Sequence, residues 1–181
     1  MAMCSLQSGG VSAGSPVASS EFATSPMDRL KILERYSRIA MIGLAANQYR
    51  PSHYAAVYLQ QKGYKLFPVH PRETEILGCQ CYPSLLKAPR PIEVVDIFRP
   101  PAAVPAIVEE AIEVGAKVIW MQFGVINNEA AARAREAGMQ VVMDQCMKGE
   151  HARFFGGLNI IGLNSGVLSS RRWNPDQGRK G

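Results

Sequence analysis

No apolar run in this 181-residue chain approaches the roughly 20 residues that a membrane-spanning helix needs, so a membrane is not expected as a partner. Cysteine is scarce. Cys4, Cys79, Cys81 and Cys146 are the complete set, and the single residue between Cys79 and Cys81 does not suit a structural zinc site, so no metal is expected. With no secretion signal, these cysteines read as reduced thiols of an intracellular, cytoplasmic protein. An excess of one charge is also lacking. The net charge of +5 is modest, and part of it lies in a tail where Arg171, Arg172, Arg179 and Lys180 stand against Asp176 alone. A solvated basic end accounts for that, and nucleic acid is not expected as a partner. What remains, 47% hydrophobic and 19% charged, is a globular composition long enough for one domain.

Residues 1–25, rich in Ser, Gly and Ala, read as a disordered leader or an added extension. The domain is expected over 26–157, followed by a C-terminal extension with the basic tail over 158–181. Ser25-Pro26-Met27-Asp28 has the cap, the proline and the carboxylate of a helix start. Ile39-Ala40-Met41-Ile42-Gly43 reads as a buried strand running into a loop of small residues, and Pro51 opens a helix closed by Gly63. That helix is expected to use Tyr54, Val57, Tyr58 and Gln61 as one face. A second strand covers Tyr64–Val69, and residues 70–84 read as a long irregular connection. Strands follow over Glu93–Phe98, Lys117–Gln122 and Met139–Met143, separated by a helix with Val104, Ile107, Val108, Ala111 and Ile112 on one stripe and by one capped at Asn127 or Asn128. One or two helical turns are expected from Cys146 to Arg153. Five strands alternating with helices define a single α/β domain, a doubly wound, Rossmann-like parallel sheet of about five strands, whose ligand belongs at the carboxyl ends of the strands.

Those ends carry Gly43 to Asn47, Val69-His70-Pro71-Arg72, Phe98-Arg99-Pro100, Gln122-Phe123-Gly124 and Asp144-Gln145-Cys146. A loop of backbone N–H groups facing a helix N-terminus suits a phosphate. A nicotinamide dinucleotide is disfavoured, because the loop has one glycine in place of three and the second strand ends at His70 instead of an acid. Arg72 and Arg99 can grip a phosphorylated ligand; Arg99 has the equal alternative of an ion pair with Asp96 or Asp144.

The order of Ile42-Gly43-Leu44-Ala45, Gly63-Tyr64, Phe67-Pro68-Val69-x-Pro71, Val95-Asp96-Ile97-Phe98-Arg99, Trp120-Met121-Gln122-x-Gly124 and Asp144-Gln145-Cys146 resembles the small single-domain CoA-binding proteins, which are similar to the N-terminal domain of the succinyl-CoA synthetase α subunit. The resemblance covers roughly residues 27–155. It implies coenzyme A as the small-molecule ligand. Gly43, Leu44, Ala45 and Ala46 would meet its phosphates, Val69, His70, Pro71 and Arg72 its adenosine end with Arg72 at the ribose phosphate, Phe98, Arg99 and Pro100 the central cleft, and Gln122 and Gly124 the pantetheine arm. Many relatives resemble Val-Asn-Pro where this chain has Val69-His70-Pro71. The synthetase's phosphohistidine domain has no counterpart, so synthetase chemistry is not implied, and non-catalytic binding of CoA or an acyl-CoA is the expectation.

The alternative is a thioester- or thiol-handling enzyme acting on acyl-CoA through Cys146 or His151. Five residues apart on a helix, these two point to different sides. Cys146 alone would need a helix N-terminus to lower its thiol pKa. His53, His70 and Asp144 are further titratable candidates, and Asp144 reads equally as a helix cap or a partner of Arg99. The sequence does not give the oligomeric state, and a homo-oligomer is compatible with it.

Overall fold

A computed structural model describes residues 24–156. The expected leader and the expected basic extension therefore lie outside the described residues, apart from Thr24 and Ser25. Helix α1 (Pro26–Arg35) starts where Ser25 Oγ accepts the Asp28 N–H. Strand β1 (Arg38–Ile42) leads through the small-residue loop into α2 (Pro51–Gln61) and then β2 (Lys65–Val69). Strand β5 (Val94–Ile97), helix α3 (Val104–Val114), strand β6 (Val118–Met121), helix α4 (Asn128–Glu136), strand β7 (Gln140–Val142) and helix α5 (Met147–Phe155) complete the alternation.

The connection after β2 is less irregular than its sequence suggests. It holds a two-stranded antiparallel ribbon, β3 (Glu75–Ile76) and β4 (Cys79–Gln80), joined through Leu77 and Gly78. Both turn residues have positive φ, 56° and 72°, as a tight hairpin turn requires. The last helix is also longer than one or two turns, with nine residues.

The main sheet has the order β2-β1-β5-β6-β7, and every pair is parallel. Because side chains alternate across the strands, Ala40, Ile42, Val95, Ile97, Ile119 and Met121 pack with α3 and α4 on one face. Ile39, Met41, Val94, Val118 and Trp120 pack with α1, α2 and α5 on the other. The strands are buried on both faces, which is why they read as continuous apolar runs.

The face of α2 differs from the expected one. Its buried residues are Ser52, Ala55, Ala56 and Leu59, while Tyr54 and Gln61 are exposed. Close approach of the helix to the sheet selects small side chains there, so Tyr54 turns outward while Tyr58 packs, partly buried, at the rim of the core. The amino edge of the sheet is closed by side chains. Glu93 accepts the N–H groups of Ser37 and Arg38 at 2.8 and 2.9 Å, and Tyr64 donates to the Leu33 carbonyl at 2.8 Å.

Candidate functional site

Strand order reverses between β1 and β5, and a crevice opens at such a reversal beyond the carboxyl ends. Two adjoining pockets occupy that place and share Gly43, which follows β1, and Arg99, which follows β5. The smaller, about 270 Å³, is lined by Ile42, Val69, His70, Pro71, Ser84 and Glu110 among others. The larger, about 550 Å³, is lined by Ala45, Arg50, Pro51, Ser52, Phe98, Pro100 and Gln122 with Phe123 and Val125. Four anticipated residues line neither pocket. Leu44 is fully buried under α2, and Ala46, Arg72 and Gly124 are exposed beside the crevice. Arg50, Ser52, Ser84 and Glu110 were not anticipated, because they come from helix starts and helix flanks instead of strand ends. One signal was available: Arg50 is a cation at the N-terminus of α2, where the helix dipole disfavours it unless an anion lies between.

Gly43 sits at φ 84°. A Cβ there would stand 2.7 Å from Arg99 Cδ. Gly43→Ala is therefore expected to cost about 1–2 kcal/mol for the left-handed backbone alone. An unchanged urea midpoint would show that neither the φ nor the Arg99 contact matters.

The loop's hydrogen bonds are partly committed. Gly43 N–H donates to the Val69 carbonyl at 3.2 Å, and Ala45 N–H donates to Ser52 Oγ at 3.1 Å. His53 Nδ1 lies 3.0 Å from the Ala45 carbonyl, so this histidine braces the loop. At β2, His70 N–H donates to the Tyr82 carbonyl, while His70 Nδ1 accepts the N–H groups of Arg72 and Glu73. Asp144, at φ 56°, accepts the Gly124 N–H at 2.8 Å and so ties the β6 loop to the end of β7.

Arg99 makes no ion pair with Asp96 or Asp144; the described ion pairs lie elsewhere. Asp96 is fully buried. Its Oδ1 accepts from Gln122 Nε2 at 2.7 Å, and its Oδ2 has no hydrogen-bond partner among the described residues. Burial pushes its carboxyl up to about 7, against smaller opposing contributions from the Gln122 amide and the Ile97 N–H.

Cys146 and His151 do not meet at one site. Cys146 stands at the N-cap position of α5, at the carboxyl edge, yet burial raises its thiol pKa and outweighs the nearby Gly149 and Lys148 N–H groups, the opposite of what a reactive thiol would need. His151 packs between Tyr58, Tyr64 and Phe155, with Nδ1 3.0 Å from Tyr58 Oη. It borders a depression with Tyr36, Ser37 and Gly63, residues that precede β1 and β2, and so lies at the amino edge. Burial, helped by Lys62, lowers its pKa. A further groove between α3 and α4 carries Glu109, Glu129 and Glu136 against Arg133, which does not suit an anion. No group of three or more residues able to hold a metal occurs among the described residues, and no described helix is long and apolar enough to cross a membrane.

A family model described as "CoA binding domain" matches residues 37–152. The Bacillus subtilis (strain 168) protein YneT is 39% identical over 122 residues, 67% of this chain and 90% of YneT. The solved structure of a hypothetical protein from Pyrococcus horikoshii OT3, 39% identical, matches with a TM-score of 0.73 over 81% of this chain and 100% of that one. The ADP-forming acetate–CoA ligase II of Archaeoglobus fulgidus is 32% identical over 81 residues, 44% of this chain but only 12% of the ligase.

Proposed function

This chain belongs to the CoA binding domain family, and on that premise we propose that it binds coenzyme A, or an acyl-CoA, across the carboxyl edge of the sheet as a binding module and not as an enzyme. One observation carries the reading: Arg99 joins the two pockets, Arg50 lines the larger, Arg72 stands beside them, and none of the three is paired with a carboxylate among the described residues. Unneutralised guanidinium groups converging on a helix N-terminus suit a polyphosphate.

In this reading the diphosphate lies against the start of α2, over the loop from Gly43 to Ala46. Its donor in the loop is the exposed Ala46 N–H, because those of Gly43 and Ala45 are engaged and Leu44 is fully buried. The adenosine end enters the smaller pocket between Val69, His70 and Pro71, with Arg72 beside the ribose phosphate. Phe98, Arg99 and Pro100 form the central wall, and the pantetheine arm runs past Gln122 toward Gly124. Cys146 starts α5 at the carboxyl edge and His151, five positions on, borders the depression at the amino edge; this favours binding over catalysis, as does a thiol that burial keeps protonated.

The test is thermal unfolding with CoA, acetyl-CoA, NAD, NADP and ATP. A ligand at 100 times its Kd adds about 2.7 kcal/mol, and CoA should give the largest shift. Arg99→Ala should weaken CoA by roughly tenfold or more, as loss of a charged hydrogen-bond donor does. Cys146→Ser and His151→Ala should leave the CoA shift intact, with no turnover of acyl-CoA by the parent. A larger shift with NADP, or thioester turnover lost in Cys146→Ser, would reject this function.

A further inference from the structure

The ring of His70 is held in one tautomer by its own loop. Nδ1 accepts two backbone N–H groups, from Arg72 at 3.3 Å and from Glu73 at 3.2 Å. An imidazole nitrogen that accepts carries no proton, so the ring proton sits on Nε2. Nε2 has no hydrogen-bond partner among the described residues, and His70 is one of the residues lining the smaller pocket, with Arg99 and Ser84. Glu110, in the same wall, has its Oε2 engaged by the Leu85 N–H at 3.0 Å.

This inverts the polarity of the position. At the end of the second strand, a dinucleotide site places a carboxylate, which accepts from the hydroxyls of a bare ribose. His70 presents a donor there, and a donor needs an acceptor on the ligand. A phosphate monoester on the ribose supplies one; a ribose with free hydroxyls gives a weaker acceptor and gains no charge assistance. We infer that His70 is a specificity-determining residue whose Nε2–H selects ribose-phosphorylated adenosine ligands over their unphosphorylated counterparts. The inference rests on the CoA reading above, and it assigns to His70 a share of the recognition otherwise given to Arg72. The two contributions differ in kind: that of the exposed Arg72 cation fades with salt, and that of the neutral donor does not.

Titration calorimetry with CoA and dephospho-CoA, at low and high salt, tests it on the parent and on His70→Asn. An asparagine amide oxygen can still accept the two loop N–H groups, but it removes the donor from the pocket. The parent should prefer CoA. His70→Asn should weaken CoA by about 10-fold, leave dephospho-CoA within about twofold, and lose this preference equally at both salt concentrations. Dephospho-CoA binding thus reports that the variant is folded. Equal loss for both ligands, or an unchanged preference in the variant, overturns the role of His70 while leaving CoA binding standing. Failure of the parent to bind either ligand overturns both readings.

Discussion

Replacing Asp96 by asparagine should flatten the pH dependence of stability between about pH 4 and 7. The carboxyl titrates near 7 in the folded protein and near its ordinary 3.8 when unfolded. Over that window the folded state binds more protons, so its stability falls as pH rises. The stabilising proton is fully held below about pH 4 and lost through pH 7. A shift of this size in a fully buried group corresponds to on the order of 4 kcal/mol. Other titrating groups are shared by parent and variant, so they cancel in the difference. Cys146, the neighbouring titratable group coupled to Asp96, has a thiol raised above its ordinary value of 9.0 and stays protonated throughout. Urea unfolding of parent and Asp96→Asn from pH 4.5 to 8 should give curves that diverge in favour of the variant as pH rises. Parallel curves would mean that Asp96 is not protonated in the fold.

Glu150→Ala should be the most damaging single truncation at fixed pH. Its carboxylate receives Arg29 Nε at 2.6 Å and Arg153 Nη2 at 2.5 Å, and its side chain is 1% exposed against 9% and 8% for the two arginines. Arg29 also donates to the Thr24 carbonyl. Removing the acid leaves two buried cations without their shared carboxylate. Breaking a buried pair from one side costs about 3–5 kcal/mol, a large share of the stability of a domain this size. The surface pair Arg133–Glu109, at a similar 2.8 Å but 47% and 57% exposed, is the comparison. Glu109→Ala should cost far less, because solvent screens an exposed pair. Similar losses for the two variants, measured by urea unfolding, would contradict a burial-driven role for Glu150.

Much of the fold was legible because its strands are buried on both faces and because its helix boundaries carry local chemistry. Ser25 with Asp28, Asn127 with Ala130, and Gly115 mark ends through contacts no more than four residues apart. The alternation of elements then leads to the parallel sheet and its open edge. What escaped depends on distance or on size. Arg29 and Glu150 are 121 positions apart, so nothing local announces their pairing. The buried side of α2 was misread because apolar bulk suggested Tyr54 and Tyr58, whereas close packing on the sheet demanded Ala55 and Ala56. The hairpin hid because its strands have two residues each and its turn places Leu77, not only Gly78, at positive φ. Of the site, the strand-end residues were legible from topology. Ser84 and Glu110 reach the crevice only through the way the short 3-10 turn at Leu85–Lys87 packs on α3.

The reversal of strand order between β1 and β5 has a mechanical side. It divides the chain into two winding halves, β1-α2-β2 and β5 through β7, whose direct connection across the sheet is the β1–β5 ladder. A molecule seated in both pockets touches Gly43 on one half and Arg99 on the other. It therefore acts as a second fastening beyond the end of that ladder. Occupancy should slow amide exchange on β2 and β6 together, because opening either half then requires letting go of the same guest.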